Sequence, residues 1–183
     1  VNFLIHKIHE SYILKGQPLN AVSTSRETTS LAKSLGINIV DLDQVHELDV
    51  VIDGADEVDP ENNLIKGGGG ALLMEKIVAS CSKQFIIIVD SSKIVSNLGK
   101  FPLPVEVVQF GSERIKDSIE RFLISLGYQT PKVTFRRSDT NKYVTDQQNY
   151  ILDLHLNEIL DAKTLSLGLL QIVGVVEVGL FLN

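Results

Sequence analysis

DVVIDGADEVDPENNLIKGGGGALLMEKIVAS, residues 49–80, is the stretch on which the reading of the chain turns. Its apolar run Val50-Val51-Ile52 has the length of a short buried strand, and Asp53 and Asp56 stand just past its end. Ligands of open α/β sheets bind beyond the carboxyl ends of the strands, which makes this acidic turn a candidate site. Lys66 and four consecutive glycines, Gly67 to Gly70, lead into an apolar helix expected from Ala71 to about Cys81. Glycine is poor material for a regular element, yet it permits positive φ and lets backbone approach a ligand closely. Ahead of a helix, such a run offers its N–H groups to an anion. The segment suits a small, polar, negatively charged ligand. Taken one at a time, the pieces also have plainer readings: a solvated loop, a flexible linker and a surface lysine.

Glu75 is more informative. Its helical neighbours three and four residues away are Ala71, Leu72, Val78 and Ala79, all apolar. A carboxylate on such a stripe is either an edge residue or a partly buried acid, and burial raises a carboxyl's pKa toward the range useful to a general base. Lys76 has a similar surround, so periodicity alone does not single Glu75 out.

On the N-terminal side, Asn2 to about Tyr12 has helical spacing, with His6 and His9 three apart and no third ligand to make a metal site. Ala21 to Ser25 reads as a short strand ending in hydroxyls, which are N-caps or phosphate contacts for a helix from Arg26 to Leu35. Ile37 to Val40 is a further short strand. On the C-terminal side, Phe85 to Val89 is apolar at every position, as a parallel strand buried on both faces would be, and it ends in Asp90-Ser91-Ser92-Lys93. Alternating strand and helix predicts an α/β fold with a doubly wound, mostly parallel, Rossmann-like sheet.

After Lys100 the rhythm changes. Pro102 and Pro104 mark a boundary. Strands are expected at 105–108, 132–136, 150–154 and 175–178, with helices at about 112–126 and 162–170. That β-α-β-β-α-β order is ferredoxin-like. Arg136 and Arg137 read as solvated and 139–146 as a hairpin loop, while Leu180 and Phe181 return to the first sheet. The expected domains are 1–103 with 179–183, and a smaller lid at 104–178.

The 183 residues can bury a substantial core, and 44% hydrophobic with 22% charged residues is ordinary for a globular protein. A net charge of −6 argues against nucleic-acid and anionic-membrane partners, so positive charge for an anionic ligand must be built locally. One cysteine, Cys81, excludes an internal disulfide and fits a reducing compartment, with the cytoplasm as the expected location. No run has the length of a membrane span, and nothing reads as a signal peptide.

The combination of DGADE at 53–57, KGGGG at 66–70 and a glutamate nine residues after the lysine closely resembles the signature of the ribose-5-phosphate isomerase A family. The resemblance continues through VDSSK at 89–93, GKFPLPVEV at 99–107, ILDLH at 151–155, EILD at 158–161 and GVVEVGLF at 174–181. It implies interconversion of ribose 5-phosphate and ribulose 5-phosphate through an enediol, with no cofactor and no metal. It places the catalytic base on Glu75 and the substrate-binding turn on Asp53, Gly54, Ala55 and Asp56. Lys66, Gly67, Gly68 and Gly69 follow as binding groups, and Lys93 supplies charge for the phosphate. Asp53, Asp56 and Lys66 join Glu75 as catalytic candidates, without a decision as to which aspartate opens the ring. The implied partners are the sugar phosphate and further copies of the chain, as a homodimer or homotetramer.

The family's Gly-Thr-Gly-Ser-Thr loop does not occur in the sequence, and family members continue past the position of Asn183. With Val1 in place of a starting methionine, the expectation is a partial record of a longer polypeptide; a complete chain of this kind would have weak activity at best. Two competing readings are a sugar-phosphate sensor of the same fold, which needs no acid at position 75, and a coenzyme A transferase-like enzyme. The latter would use its glutamate as a nucleophile and form a hydroxylamine-sensitive acyl intermediate.

Overall fold

The computed structural model describes residues 2–183, and its fold is mixed α/β. Two compact units divide the chain at Gly54, Leu73 and Ile88. The first holds the residues up to Gly54 with Met74–Ile88, and the second Ala55–Leu73 with Val89–Asn183.

In the first unit, α1 (Asn2–Ser11) and α2 (Arg26–Ser34) place Ile5 and Ala32 against Ile37 in a small core bordered by Ile8, Leu31, Leu35 and Ile39. Ser25 is the N-cap of α2, its Oγ accepting the Thr28 N–H at 3.1 Å, so this hydroxyl serves the helix. His9 Nδ1 donates to the Leu35 carbonyl at 2.6 Å. Two parallel pairs follow: β1 (Asn20–Ala21) with β2 (Asn38–Ile39), and β3 (Val51–Asp53) with β6 (Phe85–Ile87). The run 85–89 departs from expectation. Its strand is short, and Ile86 and Ile88 are 36% and 58% exposed. Among the described residues β6 has one strand neighbour, β3, in a two-stranded sheet whose Ile86–Ile88 face is open. Apolar composition did not bring burial on both faces.

The second unit holds the main core. Its four-stranded antiparallel sheet has the order β12-β7-β11-β8, from β7 (Leu103–Val107), β8 (Lys132–Phe135), β11 (Tyr150–His155) and β12 (Val175–Val178). In α4 (Ser112–Ser125) the residues Ile115, Ile119 and Leu123 recur every fourth position, forming one apolar face. They join Leu165 and Leu169 of α5 (Ala162–Leu170), with Leu103, Val105 and Val107 of β7 and Leu152 and Leu154 of β11, in one cluster. A hairpin stands near the expected loop at 139–146 but starts earlier: β9 (Arg137–Ser138) pairs with β10 (Asn141–Lys142) around a turn at 139–140.

Two features of this unit were not anticipated. The acidic turn continues into a hairpin, β4 (Glu57–Val58) with β5 (Leu64–Ile65), whose strands are too short for periodicity to reveal. Asp59 organises its turn by accepting the Glu61 and Asn63 N–H groups at 2.9 and 2.8 Å. In addition, β13 (Leu180–Phe181) pairs with β5 instead of returning to the parallel strands. Gly179 makes the junction: its N–H donates to Pro104 O at 2.8 Å, and its carbonyl accepts the Lys66 N–H at 2.9 Å. An extended residue directs its N–H and C=O to the same side, so the donor Pro104 lacks would have faced this junction, where the Gly179 carbonyl is already bonded. That is how proline is tolerated inside β7. A Cβ on Gly179 would collide with the Lys66 carbonyl and lie 2.9 Å from Pro104 Cδ.

Candidate active site

The signature residues are distributed over both units. Asp53, Gly54 and Glu75 belong to the first, and Ala55, Asp56, Lys66, Gly67, Gly68, Gly69 and Lys93 to the second.

Asp53 is the last residue of β3, one position later than the sequence suggests. Its carbonyl accepts the Ile88 N–H at 2.8 Å, and its Oδ1 accepts the N–H of Gly54 at the same distance. The carboxylate is thereby turned back on the acidic turn itself. Glu75 lies in the first turn of α3 (Leu72–Ser80) and is half-buried, with Leu72 and Val78 of the same helix buried. Its Oε2 is shielded from solvent. Lys76 is half-buried as well, so burial by itself does not separate the two.

In the second unit the structure brings the acidic turn and the glycine loop together. Asp56 is aligned by its own N–H, which donates to Ile65 O at 2.8 Å, and its Oδ2 accepts the Gly68 N–H at 2.7 Å. A Cβ at position 68 would lie 2.5 Å from Asp56 Oδ1, so the contact requires glycine. Gly67 and Gly70 have φ of 107° and 86°, and the Gly70 N–H closes the loop on Gly67 O at 2.9 Å. The Tyr143 phenol occupies the space that a side chain at Gly70 would need. Lys66 is buried, and its Nζ stands 5.6 Å from the centroid of the Phe181 ring. Ala55 and Lys93 are half-buried. Lys93 ends a 3-10 turn, Ser91–Lys93, capped by Asp90. Hydrogen bonds from Ser92 hold the Asp90 carboxyl below its ordinary pKa. The segment is tied to β4 by the Val95 N–H, which donates to Val58 O at 2.9 Å.

Two residues escaped the sequence reading. Glu57, the third acid of DGADE, is buried, and its oxygens accept the N–H groups of Gly99 and Phe101 at 2.7 and 2.6 Å. It fastens the acidic turn to the GKF segment and is unavailable to a ligand. Arg136 corrects the expectation of a solvated side chain, being only 14% exposed. Its guanidinium bonds to Asp153 of β11 and to the carbonyls of Gly67 and Gly68. Periodicity carries no signal for a partner 69 residues away. Arg137 is exposed, as expected, and donates to Thr140 O.

Residues 20–183 match the family described as ribose 5-phosphate isomerase A (phosphoriboisomerase A). The chain belongs to that family. It is 48% identical over 181 residues to the ribose-5-phosphate isomerase A of Ruegeria sp. (strain TM1040), covering 99% of this chain and 69% of the relative. Among solved structures, the ribose 5-phosphate isomerase of Plasmodium falciparum is 34% identical with a TM-score of 0.92, over 100% of this chain and 78% of that one. A D-ribose-5-phosphate isomerase in complex with phospho-erythronic acid is 35% identical with a TM-score of 0.90 and the same coverage. Family membership accounts for the order of the motifs from DGADE to GVVEVGLF. Among the described residues no helix is long and apolar enough to cross a membrane.

Proposed function

We infer that this member of the ribose 5-phosphate isomerase A family interconverts D-ribose 5-phosphate and D-ribulose 5-phosphate. The observation that carries the reading is the 2.7 Å bond from the Gly68 amide to Asp56, which joins the acidic turn and the glycine loop of the family signature. In the reaction a base removes the C2 proton of the aldose, and the enediol receives a proton at C1. Glu75 is the proposed base; its place in the first turn of α3, with one oxygen shielded from solvent, supports the assignment. Lys66 and the amides of Gly67 and Gly69 are the proposed stabilisers of charge on the enediolate oxygens, since fixed dipoles need no reorganisation as charge develops, while the Gly68 amide takes part in binding by holding Asp56. Asp53, Gly54, Ala55 and Asp56 hold sugar hydroxyls, with an aspartate moving the proton that opens the furanose ring. Lys93 takes the phosphate.

The same reading proposes a doubly wound Rossmann-like domain, 1–103 with 179–183, and a ferredoxin-like lid at 104–178. The strand order β12-β7-β11-β8 with α4 and α5 supports the second part. The partners are the sugar phosphate and further copies of the chain, as a homodimer or homotetramer in the cytoplasm.

The test is a coupled assay for ribulose 5-phosphate on the full-length polypeptide and its Glu75→Gln variant, without added metal. The parent turns over, and the variant binds substrate while kcat falls by about 10²- to 10⁴-fold, the range of general acid–base catalysis. Equal rates would remove Glu75 as the base. Binding without turnover in the parent would favour a sugar-phosphate sensor.

A further inference from the structure

We propose that Arg136, oriented by Asp153, is a positioning residue that sets the direction of the glycine-loop amides. The proposal rests on the isomerase function inferred above.

The geometry is that of a three-armed clamp. Arg136 Nε and Nη2 donate to Asp153 Oδ2 and Oδ1 at 3.1 and 2.5 Å, a bidentate pair that fixes the plane of the guanidinium. The remaining arm, Nη1, donates to Gly67 O at 2.6 Å and to Gly68 O at 3.0 Å. In a trans peptide the C=O of one residue and the N–H of the next point in opposite directions across one plane. Holding the carbonyls of Gly67 and Gly68 therefore turns the N–H groups of Gly68 and Gly69 away from the guanidinium. The first of these meets Asp56, and the second is turned by the same constraint.

Arg136 and Asp153 are both held by their backbones. The Arg136 N–H donates to Ile151 O at 2.8 Å, its carbonyl accepts the Tyr143 N–H at 2.9 Å, and Asp153 sits within β11, opposite Thr134 and Pro104. The side chains are 14% and 17% exposed. A largely buried ion pair is a weak stabilising device, because desolvation offsets most of its attraction. Its third arm, however, ends on two carbonyls of a glycine run. Left alone, four glycines would populate many conformations, and their amides would have to be ordered in each catalytic cycle. The clamp settles that order in advance, which is the condition under which amide dipoles stabilise developing charge.

The experiment is steady-state kinetics in both directions on the full-length parent, Arg136→Ala, Arg136→Lys and the double variant Arg136→Ala/Asp153→Ala, with thermal melts of each. The double variant leaves no carboxylate without its arginine, so it keeps the measurement available if Arg136→Ala alone fails to fold. In Arg136→Ala, kcat falls about 100-fold, the cost of slight misplacement at a reacting centre, while KM changes by about threefold or less. Lysine does not restore the rate, because a point charge cannot reproduce the fork. Guanidinium ion at tens of millimolar raises kcat of Arg136→Ala about tenfold and leaves the parent unchanged, whereas ammonium does nothing. An inactive parent would overturn the isomerase function and this role together. An active parent with folded variants within about twofold of it in kcat and KM would overturn the positioning role alone. So would a rate loss that guanidinium does not reverse and that follows the melting temperature.

Discussion

The run Phe85-Ile86-Ile87-Ile88 is apolar at every position, whereas Leu103-Pro104-Val105-Glu106-Val107 carries a proline and a glutamate. Yet every residue of the second is buried, while Ile86 and Ile88 of the first are exposed. The difference lies in the neighbours. β7 is an inner strand between β12 and β11, with apolar residues of α4 and α5 packed on its Leu103, Val105 and Val107 side. On the opposite side Glu106 Oε1 accepts from Thr145 Oγ1 at 2.9 Å and from Asn149 Nδ2 at 3.0 Å. β6 has β3 alone. Burial follows the number of elements packed around a strand, and composition limits only what that burial costs.

The strongest way to break this comparison is Leu154→Ala, on the strand beside β7. Leu154 is fully buried in the main cluster, and the truncation is expected to cost about 2–5 kcal/mol in a urea titration. A cost below about 1 kcal/mol would mean that the cluster is loosely packed.

An intermediate effect, and a sharper test of the polar face, comes from Glu106. Burial raises its carboxyl above the ordinary value, hydrogen bonds from Asn149 and Thr145 oppose the rise, and Glu177 on the neighbouring strand adds to it. The folded protein therefore keeps a proton that the unfolded chain has already released. The stability gained is fully present below the ordinary carboxyl pKa and is lost as pH rises through the raised one. Glu106→Gln removes this titration while retaining an acceptor for Thr145 and Asn149. Its urea midpoint is expected to vary less with pH above the ordinary carboxyl range than the parent's does. Parallel curves would show that Glu106 is ionised in the folded protein.

The smallest effect belongs to the exposed strand. Ile88→Thr should change stability by no more than about 0.5 kcal/mol, as exposed positions do. A loss above about 1.5 kcal/mol, accompanied by a change in oligomeric state, would show that the Ile86–Ile88 face is covered in solution.

The helices α2, α4 and α5 were expected close to where they lie, and the structure supplies local reasons within one or two turns: Ser25 caps α2, Asp161 caps α5, and α4 has fourfold apolar spacing. The acidic turn and the glycine loop stood out in the sequence by their combination, and the structure joins them through the Gly68–Asp56 bond. Hidden were the two-residue strands β4 and β5, which are shorter than any period, the pairing of β13 with β5, and the partners of Glu57 and Arg136. Nothing local distinguishes Glu57 from Asp53 and Asp56. Only the approach of the 99–101 backbone turns it into a structural tie.

From its sequence alone the chain declared its family, its mixed α/β class, and the identity and spacing of its acids, lysines and glycines, because those rest on covalent order and on contacts within a few residues. Tertiary structure decided which apolar strand is buried, that Glu57 is buried with both oxygens taken by backbone amides, and that Arg136 grips the glycine loop. Each of these depends on groups brought together from tens of residues apart, and a hydrogen bond or a packed face has no sequence period through which it could be read.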